Sequence, residues 1–219
     1  MNAARAEILD RVRRALADVP DEERPEDVHV PRAYLEREPE ATLERFVERV
    51  ADYGSVVEVV GDEEIASAVA RALRTFGVTA VVVPADLPRA WIPDEVEAVA
   101  ESGLEPLDLD RIGAALTGCA LGIAETGTVV FDAGRRQGRR ALTLVPDVHV
   151  CVIEAAQVVD GVPTALRRLG ADLRRSGRPW TFVSGPSATA DIEFARVEGV
   201  HGPRRFALIV VRSPDAFTS

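Results

Sequence analysis

The chain has no lysine: all 26 of its basic residues are arginine. That absence excludes Walker-type phosphate binding, Schiff-base catalysis and any lysine general base. Cysteine is almost as scarce, with only Cys119 and Cys151, set far apart and without C-x-x-C spacing. Even with His29, His149 and His201, no iron–sulfur cluster or structural zinc assembles from this set unless a partner supplies ligands. No metal or redox cofactor is therefore expected in the chain itself. No apolar run approaches the ~20 residues that span a bilayer. Met1 to Leu16 is charged throughout and lacks the apolar core of a signal peptide. A cytoplasmic chain without a membrane span is the expectation. Positive charge is the minority sign, and the net charge of −10 argues against nucleic acid or an anionic membrane as partner.

What is present reads as a globular protein. The 219 residues suffice for one domain with a sizeable core, and 47% hydrophobic with 28% charged residues excludes wholesale disorder, collagen and coiled coil. Ile8, Leu9, Val12, Leu16 and Val19 share one face of an N-terminal helix. Pro20, Pro25 and Pro31 follow among Asp21, Glu22, Glu23, Glu26 and Asp27, a stretch too polar to order as a core element. Residues 1–36 are thus expected to be a helical arm and acidic linker, with one domain over 37–219. The helix either packs on its own domain or grips a partner.

From Pro39 onward, helical stripes alternate with β-branched runs. Leu43, Phe46, Val47 and Val50 form a stripe ending at Gly54; Ser55 to Val60 is a strand; Asp62 to Phe76 is a helix closed by Gly77; Thr79 to Val83 is an apolar strand. Strands apolar on both faces and separated by helices imply a parallel sheet covered on both sides. A short helix is expected near Arg111 to Leu116. Four apolar runs follow, Cys119–Ile123, Thr128–Phe131, Ala141–Val145 and Val148–Ile153, on connections too short for crossover helices, so antiparallel pairing is expected there. Gly134 to Arg140, with four arginines, reads as a solvated turn. A helix over Pro163 to Arg175 leads to Trp180–Val183 and Phe206–Val211 as the last central strands. The fold class is α/β: a three-layer α/β/α sandwich with a mixed, mostly parallel sheet.

Chemistry has three candidate places. In GCALGIAETGT (Gly118–Thr128), Glu125-Thr126-Gly127 stands between two strands, with Thr128 just after it. A carboxylate and two hydroxyls beside a glycine suit a nucleophile, base or orienting acceptor; the other reading is a hairpin tip whose glutamate faces water. In Ser184-Gly185-Pro186-Ser187-Ala188-Thr189-Ala190-Asp191, a small-residue loop follows a strand, where α/β sheets hold ligands. Its hydroxyls and backbone N–H groups suit a carboxylate or phosphate. The alternative is that Ser187 or Thr189 caps the next segment while Asp191 offsets its dipole. Among the histidines, His149 lies inside an apolar strand, as a hydrogen-bonded core residue would. His201, flanked by Gly199 and Gly202, is the more exposed candidate. A Cys119/Cys151/His149 metal site matches no ligand spacing, and Ser184-Gly185-Pro186 is not the Gly-x-Ser-x-Gly elbow of a serine hydrolase.

Four strings go beyond composition: GIAETGTVVF (Gly122–Phe131), LVPDVHVCVI (Leu144–Ile153), TFVSGPSATADIE (Thr181–Glu193) and GVHGPRRF (Gly199–Phe206). In this order they closely resemble the LUD-domain family, the lactate-utilisation group, and within it the small C-type members. The resemblance spans roughly residues 40–212. It implies a fold like that of ribose-5-phosphate isomerases, CoA transferases and the folate cyclo-ligase. It also implies a part, with two iron–sulfur proteins, in oxidising L-lactate to pyruvate, the clusters residing on those partners. Larger B-type relatives carry cysteine-rich ferredoxin-like segments, and their absence here fits the C type. On this reading Glu125, Thr126, Gly127 and Thr128 line a pocket for a small carboxylate or phosphate-containing ligand with Ser184, Gly185, Ser187, Thr189 and Asp191. Glu125 and His201 are the candidate catalytic residues. The alternative is a stand-alone enzyme acting on a small phosphorylated or CoA-linked acid, with Glu125 as nucleophile by analogy with CoA transferases of this fold.

Overall fold

A helix buries itself when its apolar side chains form one stripe, and Leu43, Phe46 and Val50 supply such a stripe. The computed structural model describes residues 3–20, 23–24, 29, 31, 42–189, 197–199 and 201–212. The chain divides into two units, Met1–Glu36 and Arg37–Ser219. In the first, helix α1 (Ala3–Ala15) carries exposed ion pairs Arg11–Glu7 at 2.6 Å and Arg14–Asp10 at 3.2 Å, spaced one turn apart as helical pairs must be.

The second unit opens with α2 (Leu43–Asp52), whose first turn is capped by Thr42: the Arg45 N–H donates to its Oγ1 at 3.0 Å. Strand β1 (Val56–Val60) and helix α3 (Ile65–Thr75) follow, then β2 (Ala80–Val83) and β3 (Glu97–Ala100). Helix α4 (Pro106–Ile112) stops at the left-handed Gly113, and β4 (Ala114–Thr117) begins at once. The expected helix at 111–116 is therefore displaced: the glycine ends it at Ile112, and the β-sheet takes the apolar residues beyond. Next come β5 (Leu121–Ile123), β6 (Thr128–Phe131), β7 (Val148–Glu154) and β8 (Val158–Val159). Helix α5 (Val162–Ser176) precedes β9 (Thr181–Val183), β10 (Ala188–Thr189), β11 (Val197–Glu198) and the final strand β12 (Arg205–Val211).

Six strands in the order β1-β12-β7-β4-β2-β3 form a wholly parallel sheet. The mostly parallel α/β sheet expected from sequence is thus present. On one face α3 packs Ile65, Ala68, Val69, Ala72 and Leu73 against Val81, Leu116, Val150, Val152, Ala207 and Ile209. On the other, α2 joins a second, four-stranded sheet, β8-β5-β6-β9, above Cys151, Ile153, Phe206, Leu208 and Val210. Helix α5 closes the outer side of that small sheet with Ala165 and Leu169 on Leu121, Ile123 and Val130.

Antiparallel pairing occurs between β5 and β6 and between β6 and β9, as the short connections require. It does not extend to the next two runs. Ala141–Val145 is no strand; a 3₁₀ turn at Arg140–Thr143 sinks Leu142 among Val82, Leu109 and Ala115. Strand β7 lies parallel between β12 and β4. Likewise β9 is not central: it is the edge of the small sheet, with Phe182 exposed.

Gly122 sets the closeness of these layers. A Cβ there would stand 2.7 Å from Phe46 Cζ and 2.9 Å from Ile153 Cδ1, nearer than atoms pack. Gly122→Ala is expected to destabilise the fold by about 1–3 kcal/mol through overpacking, read as a lower urea midpoint at unchanged slope.

Candidate functional site

The β5–β6 turn carries Glu125, Thr126 and Gly127. Glu125 is exposed, and its N–H donates to the Asp160 carbonyl at 3.0 Å. Behind it runs a chain of hydroxyls: Thr126 Oγ1 to Thr128 Oγ1, and Thr128 Oγ1 to Ser184 Oγ, both 2.7 Å. Thr128 is buried, and its two half-buried neighbours satisfy its hydroxyl. The turn needs Gly127, at φ +61°, because a Cβ would lie 2.6 Å from Arg49 Cβ on α2. Gly185, at φ +92°, likewise fits against Tyr53, with a Cβ 2.5 Å from Tyr53 Cβ. Both loops are thus clamped on the end of α2.

Ser184, Gly185, Ser187 and His201 come together around a recess of about 260 Å3, walled by Thr143 and Pro203. Its polar frame is internal: the Ser187 N–H donates to Pro203 O at 2.8 Å, and the His201 N–H donates to Ser187 Oγ at 3.1 Å. Glu125, Thr126, Gly127 and Thr128 are not among the residues lining this recess. The hydroxyl chain reaches it only through Ser184. Thr189 lies in β10, its backbone paired with Val197, and Asp191 lies outside the described residues. The strand before this loop pairs antiparallel with β6 in the small sheet, so the rule placing ligands at the carboxyl edge of parallel strands applies elsewhere.

That carboxyl edge holds a second recess, of about 300 Å3, lined by Gly118 and Cys119 after β4, Val152 and Glu154 at the end of β7, and Trp91, Arg135, Arg136 and Gln157. From sequence Gly134 to Arg140 is a solvated turn; in the structure one of its four arginines is not. The Arg136 guanidinium pairs with Glu154 at 3.0 Å and sits 5.1 Å over the Trp91 ring. The Arg136 backbone N–H donates to Asp86 Oδ2 at 2.7 Å, and the Arg136 backbone carbonyl accepts from the Gly118 N–H at 2.7 Å. The turn is pinned from behind by Asp132 and Gln137: the Gln137 side-chain amide donates to Asp132 Oδ1 at 2.7 Å and its carbonyl accepts from the Asp132 N–H at 2.8 Å. The signal for this recess was the run of arginines around glycines in a chain without lysine, where an anion's partner must be arginine.

His149 is a core residue, its ring between Phe131 and Phe206. Thr117 Oγ1 donates to Gly118 O at 2.8 Å, and its single proton is thereby used. His149 Nε2 at 2.8 Å must then be the protonated nitrogen, donating to Thr117 Oγ1. Full burial holds the imidazole neutral, with its pKa lowered to about 3. Burial also pushes the adjacent Cys151 thiol up, reinforced by its hydrogen bond with Cys119. Among the described residues no group of three or more His, Cys, Asp or Glu stands where it could hold a metal ion, and no helix is long and apolar enough to cross a membrane.

A parallel sheet covered by helices and a small mixed sheet, with a polar recess at its carboxyl edge, defines a mostly parallel α/β domain. The chain belongs to the LUD domain family, whose model matches residues 43–211. It is 42% identical over 210 residues to lactate utilization protein C of Deinococcus radiodurans, covering 95% of each chain. Lactate utilization protein C of Geobacillus thermodenitrificans is 31% identical over 167 residues, covering 68% of this chain and 69% of that one. A crystal structure of a DUF162 family protein from Deinococcus radiodurans superposes with a TM-score of 0.66 at 38% identity, covering 77% of this chain and 95% of that one.

His149 also sets a pH dependence. Its pKa is about 3 in the folded chain against 6.5 unperturbed, so below pH 6.5 the unfolded chain takes up a proton that the folded chain refuses. Its contribution is intact above pH 6.5 and is lost as pH falls from there towards about 3. Lowering the pH from 7 to 5 is expected to cost on the order of 2 kcal/mol from this group. Urea denaturation at the two pH values should show that loss shrinking in His149→Gln.

Proposed function

We propose that this chain serves in lactate utilisation as the subunit without a redox centre of a cytoplasmic assembly that oxidises L-lactate to pyruvate, the electrons leaving through iron–sulfur clusters on its partners. The observation that carries this reading is the 42% identity over 95% of both chains to a lactate utilization protein C. The physical picture is compatible with it. Lactate oxidation releases two electrons, and an acceptor must receive them. Cys119 and Cys151, the only two cysteines, are buried in the core, so an acceptor on another protein is the simplest arrangement.

The stand-alone alternative needs Glu125 as a nucleophile within a ligand pocket. Glu125 is exposed on its turn and lines neither of the two recesses described above, so that alternative gains nothing from the geometry.

Affinity purification of the chain from its native cells, in low salt and without oxygen, is expected to recover two cysteine-rich iron–sulfur proteins. Deleting the chain alone is expected to abolish growth on L-lactate. Recovery of the chain by itself while those proteins are expressed, or undiminished growth after the deletion, would sink the reading.

A further inference from the structure

The recess at the carboxyl ends of β4 and β7 brings two arginines together in a chain of net charge −10. Three charged side chains line it: Arg135, Arg136 and Glu154. Arg136 and Glu154 neutralise one another at 3.0 Å. Arg135 is exposed and has no ion pair or side-chain hydrogen bond among the described residues, which leaves its guanidinium free to take a ligand.

Everything around that charge is held still. Gln157 spends both ends of its amide: its Oε1 accepts from the Glu154 N–H at 2.9 Å, and its Nε2 donates to the carbonyls of Cys119 at 2.8 Å and Ala120 at 3.1 Å. Asp86 is engaged by the Arg136 N–H. The arginine turn holds two non-glycine residues at left-handed backbone angles, Ala133 at φ 51° and Arg136 at φ 62°. Such strain persists only where the surroundings over-determine it, and it gathers at ligand sites. Here it keeps consecutive arginines at the mouth of one recess. Trp91 and Val152 supply an apolar wall.

From this arrangement we propose that the recess is a binding site for a small monocarboxylate, held by the Arg135 guanidinium. Arginine's planar fork matches a carboxylate with two parallel hydrogen bonds. A volume of about 300 Å3 is at the small end of ligand pockets, too little for a large cofactor. The site is distinct from the recess of Ser184, Ser187 and His201. Using L-lactate and pyruvate as probes rests on the proposed role in lactate utilisation; the carboxylate chemistry does not.

The test uses Trp91, which lines the recess. The chain has two tryptophans, so in a Trp180→Phe background the fluorescence reports the recess alone. L-lactate, pyruvate, acetate and inorganic phosphate are titrated, with calorimetry as a second readout in case binding is optically silent. Saturable binding of at least one carboxylate is expected, weakened tenfold or more in both Arg135→Ala and Arg135→Gln. Arg168→Ala, which removes the same charge from the exposed face of α5, is expected to leave binding unchanged. Equal loss in the Arg168 variant, unchanged affinity in the Arg135 variants, phosphate binding without carboxylate binding, or no binding by either readout would each overturn the site. The two proposals fail separately. Iron–sulfur partners recovered without carboxylate binding leave the assembly and remove the site; carboxylate binding without such partners does the reverse.

Discussion

Seven residues of β7 lie in parallel register with seven of β12, and nearly every one is buried. Two strands paired in this way and hidden on both faces require two complete covering layers, since exposed apolar faces would cost what the pairing gained. Alternate residues divide the work. Val148, Val150 and Val152 face α3, while His149, Cys151 and Ile153 face α2 and the small sheet. The rest of the molecule follows from satisfying both sides of this pair.

One consequence is chemical. A histidine buried in such a strand has no water, so it persists only as the neutral ring with a partner, and Thr117 on the neighbouring β4 is that partner. A second consequence is geometric. The small sheet must approach within atomic contact of α2 and β7, which Gly122, Gly127 and Gly185 make possible by lacking a side chain. The same glycines that look like signs of a ligand loop in the sequence are, at Gly127 and Gly185, places where the loop backbone meets a helix.

The helices 43–52 and 65–75 and the strands β1, β2, β7 and β12 were legible because burial imposes a period on long segments, and the period survives in the sequence. The run at Ala141–Val145 was not legible, because four apolar residues around Thr143 fit a strand or a turn equally. Only contact with Val82, Leu109 and Ala115 selects the 3₁₀ turn. For the same reason β9 was mistaken for a central strand: its composition is that of a core strand, yet pairing with β6 leaves it at an edge. The hydroxyls of Thr126, Thr128 and Ser184, read from sequence as lining one pocket, form a hydrogen-bonded chain of which only Ser184 reaches the recess, whereas the arginine turn passed for solvated surface. A short string of charges carries no record of what it folds against; Trp91 and Glu154 come from distant parts of the chain.

By itself, the sequence determined the fold class, the family and the lack of lysine chemistry, because each depends on residue identity and on local spacing. Tertiary structure alone decided which apolar runs share a sheet, which glycines meet a helix, and that a recess opens at the carboxyl edge between Arg135, Glu154 and Trp91. Those outcomes depend on which segments meet, and segments meet where burying both faces of β7 and β12 forces them together.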